Sequence, residues 1–122
     1  MALTIAPIGR PGSRQDGTVL PITRVRVVGP SMEPALRNGD WWVVRRTAKV
    51  GIGDVVLAVH PQRPHALVVK RIARREPEGW WVLGDNGAAS DDSRVFGVVP
   101  DANVVGRLWW RYRPLRRQAV AG

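Results

Sequence analysis

The sequence predicts a mostly β domain, a small folded sheet or partial barrel of six or more strands. Three observations carry that expectation. The apolar runs are short and rich in Val and Trp, each is bounded by Gly, Pro, Asn or Asp, and no segment sustains a helical period. β-branched and aromatic side chains suit a pleated, half-buried surface. The 122 residues leave room for one domain with a modest core.

In chain order, residues 1–18 are rich in Gly, Pro and polar residues and read as a flexible arm. Residues 19–113 hold the folded domain, and 114–122, PLRRQAVAG, read as a basic tail. The first strand pattern, TRVRVVG, alternates and runs into GPSMEPAL, a serine turn bounded by prolines. The turn LRNGDWW leads to DWWVVRR; GDVVLAVH and ALVVKRIARR flank the turn HPQRPH; GWWVLGD and VVGRLWWRYR complete the set. Trp-Trp pairs stand at 41–42, 80–81 and 109–110. Neighbours on a strand point to opposite faces, so one Trp of each pair is expected in the core and one outward. The alternative is an aromatic surface for a peptide or a bilayer interface.

The net charge is +9, with seventeen Arg and two Lys, Lys49 and Lys70. Such a balance suits a basic soluble surface or an anionic partner such as nucleic acid or lipid head groups. Arg keeps its proton, so proton chemistry by a basic side chain falls to the two lysines. The absence of cysteine excludes disulfides, thiol catalysis and thiolate metal sites. No stretch reaches the ~20 apolar residues of a membrane span. The N-terminus lacks the apolar run of a signal peptide, so a cytoplasmic protein is expected.

Period 2 in ALVVKRIAR places Val68, Lys70 and Ile72 on one face. A lysine between β-branched neighbours is either desolvated, which lowers its pKa and makes it a candidate general base, or snorkels to water. Ser31 needs such a base to become a nucleophile. His60 and His65 flank an exposed turn without a third orienting group, and two His without Cys or a nearby carboxylate form an incomplete metal set. Ser31 with Lys70 is the better pair, because Ser-Lys variants of serine-hydrolase chemistry exist. The segment GDNGAASDDSR, residues 84–94, has the composition of a surface loop. Asp92 and Arg94 are spaced for a bracing pair, and the Ser90 hydroxyl can donate to or accept from a lysine nitrogen; composition alone establishes neither.

These segments, in this order, resemble the signal peptidase I family of Ser-Lys proteases. GPSMEPAL is similar to the family's Ser-Met-x-Pro-Thr-Leu, NGDWWVV and GDVVLAV to its Gly-Asp strand openings, and VVKRI to its Lys-Arg strand. GDNGAASDDSRVFG is similar to Gly-Asp-Asn-x-x-x-Ser-x-Asp-Ser-Arg-x-x-Gly, the most specific of the set. The resemblance covers about residues 25–112. It implies a coiled β-sheet fold, Ser31 as acylating nucleophile, Lys70 as its base, and Ser90 orienting the Lys70 amine. It further implies Asp92 and Arg94 as a brace, Met32 and Pro34 shaping the turn, and the Ser31 N–H as one oxyanion donor. No cofactor, metal or nucleic acid is implied.

The chain departs from the pattern at several places. Gly29 stands where some members carry a hydroxyl residue supporting the oxyanion hole, Ala35 replaces Thr, and Gly87 stands where Arg is frequent. The segment between Lys70 and Gly84 is short, and the sequence contains neither the usual membrane spans nor a second β domain. This compactness resembles the nickel-type superoxide dismutase maturation proteases, whose implied substrate is the dismutase precursor. Two alternatives stay open: a general signal peptidase-like enzyme in peripheral contact with the membrane through Arg and Trp, and a basic β module binding nucleic acid. The second leaves Ser31, Lys70 and residues 84–94 unexplained.

Overall fold

A computed structural model describes residues 4–7 and 22–112. The strands are β1 (Thr4–Pro7), β2 (Ile22–Arg26), β3 (Trp41–Arg45), β4 (Val55–His60), β5 (Arg63–Glu76), β6 (Gly79–Leu83), β7 (Val99–Pro100) and β8 (Val104–Tyr112). One short helix, α1 (Ser93–Phe96), lies between β6 and β7. The protein is thus mostly β, as the Val- and Trp-rich runs predict. The strands form an open antiparallel sheet in the order β1-β2-β3-β8-β4-β5-β6-β7. Thr4–Pro7, expected within a loose arm, pairs with Thr23–Arg26 at the sheet edge, where a proline is tolerated. The rest of the arm and the 114–122 tail lie outside the described residues.

Alternation along β4 and β5 gives the sheet an apolar cluster on each face. Leu57 and Val69 belong to one, with Val25, Val27, Met32, Leu36, Val44 and Leu108. Val56, Ala58 and Ile72 belong to the other, with Val82, Phe96 and Val99, and Val68 packs against it. Lys70 lies between Val68 and Ile72, opposite Val56, and is 2% exposed. β5 is the long strand, but β6 pairs only with Arg71–Glu76. Among the described residues no strand pairs with Arg63–Lys70 on that side, and this open edge positions the site.

The tryptophans depart from the one-in, one-out expectation. Trp41, Trp42, Trp80 and Trp81 are half-buried. Arg75 stacks 4.5 Å from the Trp80 ring centroid and Arg74 4.4 Å from that of Trp81. Trp109 and Trp110 are both exposed, at 53% and 64%. The cause is a bulge: Val43 pairs with Trp110 and Val44 with Leu108, so Trp109 is an extra residue that breaks the alternation.

Candidate active site

The serine turn follows from the sequence around Ser31. Val25 in β2 and Val27 just beyond its end enter the core, and Val27 closes against the next turn through Val27 N–H to Asp40 O (2.8 Å) and Gly39 N–H to Val27 O (2.7 Å). Gly29 then takes φ +99°, a conformation that favours glycine, and starts the reversal. Two backbone bonds, Glu33 N–H to Pro30 O and Leu36 N–H to Met32 O, both 3.0 Å, wind residues 30–36 into tight turns. Met32 and Leu36, four residues apart, are buried in the first cluster and anchor the turn. Ser31 rides beside them, 6% exposed. Pro34 is exposed and follows a cis peptide bond.

Lys70 reaches the same place from the opposite face of β5. Burial pushes its pKa below the ordinary lysine value. Asp92 and Asp91 oppose that shift, while Arg94 adds to it. Its ammonium group donates to Ser90 Oγ at 3.0 Å, and Ser90 Oγ donates to Asp92 Oδ2 at 3.3 Å. With its proton committed to a carboxylate, the Ser90 oxygen presents a lone pair to the lysine, which fixes the direction of one N–H.

Asp92 is fully buried and carries the brace. As the N-cap of α1 it accepts from Arg94 N–H at 3.1 Å. It also accepts from Arg94 Nε and Nη2, both 2.9 Å, and from Gly84 N–H at 2.9 Å. Burial alone would raise its pKa, but these bonds from Arg94 and Gly84 outweigh burial and hold it below the usual carboxylate value. Ser93 Oγ accepts from Val82 N–H at 2.8 Å and ties the helix to β6.

Four residues outside the expected set lock this loop onto the serine turn. Asn86 N–H donates to Ser31 O (2.8 Å) and Asn86 Nδ2 to Pro30 O (3.1 Å). Asp85 N–H donates to Met32 Sδ at 3.3 Å, while its carboxylate is held by Arg71 in a two-pronged pair at 2.8 and 2.9 Å. A Cβ on Gly84 would overlap Ser90 Oγ and come 2.7 Å from Ser31 O, so only glycine allows the close approach of loop and turn. The Gly-Asp-Asn run was the available signal; the sequence did not reveal which groups these residues touch.

A cavity of about 270 Å³ holds Ser31, Lys70 and Ser90 in one wall system, with Val28, Leu67 and Val68 among its apolar lining. Asp92 and Arg94 stand behind it. Gly29 does not supply an oxyanion donor: its N–H is taken by Asn38 Oδ1 at 2.9 Å. His65 is exposed. His60, expected in an exposed turn, is half-buried and lines the cavity, because Phe96 from α1 packs 4.6 Å from its ring.

Residues 21–108 match the Peptidase S24-like family. The chain is 36% identical to the mitochondrial ATP-independent inner membrane protease subunit 1a of Arabidopsis thaliana, over 76% of this chain and 71% of that protein. It is 32% identical to the human mitochondrial inner membrane protease subunit 1, over 71% of this chain and 67% of that protein. A shorter match, 43% identity over 35% of this chain and 13% of the relative, joins it to signal peptidase I of Haemophilus influenzae. Among the described residues no helix is long and apolar enough to cross a membrane. The chain therefore belongs to the Peptidase S24-like family and to its signal-peptidase-like proteases.

Proposed function

We propose that this protein is a serine endopeptidase that removes an N-terminal leader from a precursor protein, with Ser31 as nucleophile and Lys70 as general base. One observation carries the reading: a buried lysine of lowered pKa shares a cavity with a serine held on a rigid turn. A lysine depressed by burial has a larger neutral fraction near neutral pH, and the neutral amine accepts the Ser31 proton as Oγ attacks the scissile carbonyl. The Ser31 N–H donates to the developing oxyanion. Collapse breaks the C–N bond, the Lys70 ammonium returns its proton to the leaving amine, and an ester remains on Ser31. Water then attacks that ester with Lys70 again taking the proton, which frees the leader and restores the serine. Ser90, bonded to Asp92, keeps the amine aimed through both steps.

The short stretch between Lys70 and Gly84, one of the features in which the chain resembles the nickel-type superoxide dismutase maturation proteases, supports the dismutase precursor as the substrate. The test is incubation of purified protein with that precursor and, separately, with a secretory preprotein, followed by mass spectrometry of new N-termini. Cleavage of the dismutase precursor alone is expected, abolished by Ser31→Ala. Cleavage of the secretory preprotein alone would overturn the substrate assignment.

A second feature favours processing at a membrane surface. The bulged Trp109–Trp110 pair is exposed beside Arg111 on a strongly cationic protein, a combination suited to an anionic lipid interface. Flotation with phosphatidylglycerol vesicles is the check: binding lost in Trp109→Ala/Trp110→Ala supports it, and no flotation of the parent protein removes it.

A further inference from the structure

The cavity extends well past the Ser31–Lys70 pair. Lys70 pairs with Val56 and Leu67 with Val59, so His60 stands one residue beyond Leu67, about four strand residues from Lys70. At ~3.3 Å per residue this is ~13 Å, the span of three or four residues of an extended peptide. The near stretch of that path is apolar, lined by Val28, Leu67 and Val68. The far end is polar, with His60, Arg63 and Asp91.

His60 is held there by two contacts. Its Nδ1 accepts from Gln62 N–H at 3.0 Å, and its ring leans on Phe96 at 55°. The Gln62 side chain in turn reaches Phe96 O at 3.4 Å, which joins the β4–β5 hairpin to α1. A neutral imidazole whose Nδ1 accepts must carry its proton on Nε2. The ring is therefore a fixed hydrogen-bond donor in the lining of the channel.

We infer that His60 is a specificity-determining residue: its Nε2–H selects a substrate with a carboxamide or carboxylate side chain three or four residues from the bond that Ser31 attacks. The inference rests on the protease reading above. Arg63 and Asp91, the two charged groups facing His60, carry opposite signs, so the channel end has no single-sign field to exclude either acceptor. Burial and Arg63 hold the His60 pKa below its ordinary value against Asp91, which favours the neutral imidazole that accepts the Gln62 bond. An apolar side chain lodged against the ring would cover Nε2–H without offering it a partner, which is unfavourable.

The experiment is cleavage profiling of a mixed-sequence peptide library by the wild type, His60→Phe and His60→Gln, with Ser31→Ala as the blank. Phenylalanine keeps the ring against Phe96 but removes the donor, and glutamine returns a donor. Wild type is expected to favour Asn, Gln, Asp or Glu over Leu at that position by ~5-fold in kcat/KM, the size of one neutral hydrogen bond. The preference should vanish in His60→Phe and return in part in His60→Gln, with preferences nearest the scissile bond unchanged. Identical profiles for wild type and His60→Phe, with both proteins equally folded by thermal melting, would overturn the assignment of His60 and leave the protease reading standing. Cleavage no greater than the Ser31→Ala blank would overturn both.

Discussion

Replacing Ser90 by alanine deletes one oxygen and keeps the Cβ that packs beside Gly84. The lost oxygen accepts from Lys70 at 3.0 Å and donates to Asp92 at 3.3 Å. When Lys70 takes the serine proton it becomes an ammonium ion, and a hydrogen bond to a charged group contributes about 1.5–3 kcal/mol. At 1.36 kcal/mol per decade, kcat should fall roughly 10- to 150-fold, with KM nearly unchanged. The sign of the pH effect is separate. The Ser90 oxygen stabilises the protonated lysine, so its removal lowers the Lys70 pKa further. Activity rises as Lys70 loses its proton, so the acidic limb of the kcat profile should move to lower pH even as the plateau drops. The assay is steady-state cleavage of a fluorogenic peptide across pH 5–10, in wild type and Ser90→Ala. A kcat within twofold of wild type, or an acidic limb displaced upward, would refute the orienting role.

Lys70→Met should abolish cleavage and stabilise the fold. The folded lysine pKa is lowered by burial, so between the folded and unfolded values the unfolded chain binds the proton that the folded one releases. Wild-type stability from this group therefore rises with pH, and the gain from Met should be largest in acid and shrink towards the ordinary lysine pKa, as read from melting temperatures at pH 6 and 10. Asp92→Asn cannot accept all of the Gly84 and Arg94 N–H bonds; a loss of about 2 kcal/mol in urea unfolding is expected, with reduced kcat. The wild-type carboxylate has a lowered pKa, so its contribution is full above about pH 4 and lost as pH falls through the folded value; the variant should lack that part of the acid dependence. Gly84→Ala forces loop and turn apart at Ser90 and Ser31 O; kcat should fall at least ~100-fold, with a lower melting temperature by calorimetry.

Residues that carry local chemistry were legible in the sequence. Period 2 places Lys70 between Val68 and Ile72 but leaves burial and snorkelling both open, and the loop 84–94 has the composition of a surface loop; the resemblance to the signal peptidase I family is what singles both out. The strands were readable because β-branched runs end at Gly, Pro, Asn and Asp. What escaped depends on partners remote in sequence. The outward turn of both Trp109 and Trp110 comes from one extra residue against β3, and an apolar run looks the same with or without it. β1 is four residues whose pairing partner lies at 23–26. His60 looked exposed because its cover, Phe96, arrives 36 residues later. Gly29 stands at a position that supports the oxyanion hole in some members of the resembled family, and only the position of Asn38 shows that its N–H is occupied.

The bonds from Asn86 to Ser31 O and from Asp85 to Met32 Sδ join parts of the chain more than fifty residues apart. The order of synthesis gives this separation a meaning. A ribosome releases the serine turn first, then the lysine strand, and last the loop that aligns them. Until that loop emerges, the nascent chain carries the proposed nucleophile without its clamp and the proposed base without its guide. On the proposed reading, competence to cut peptide bonds thus waits for that loop, which follows β1 to β6 of the described strands.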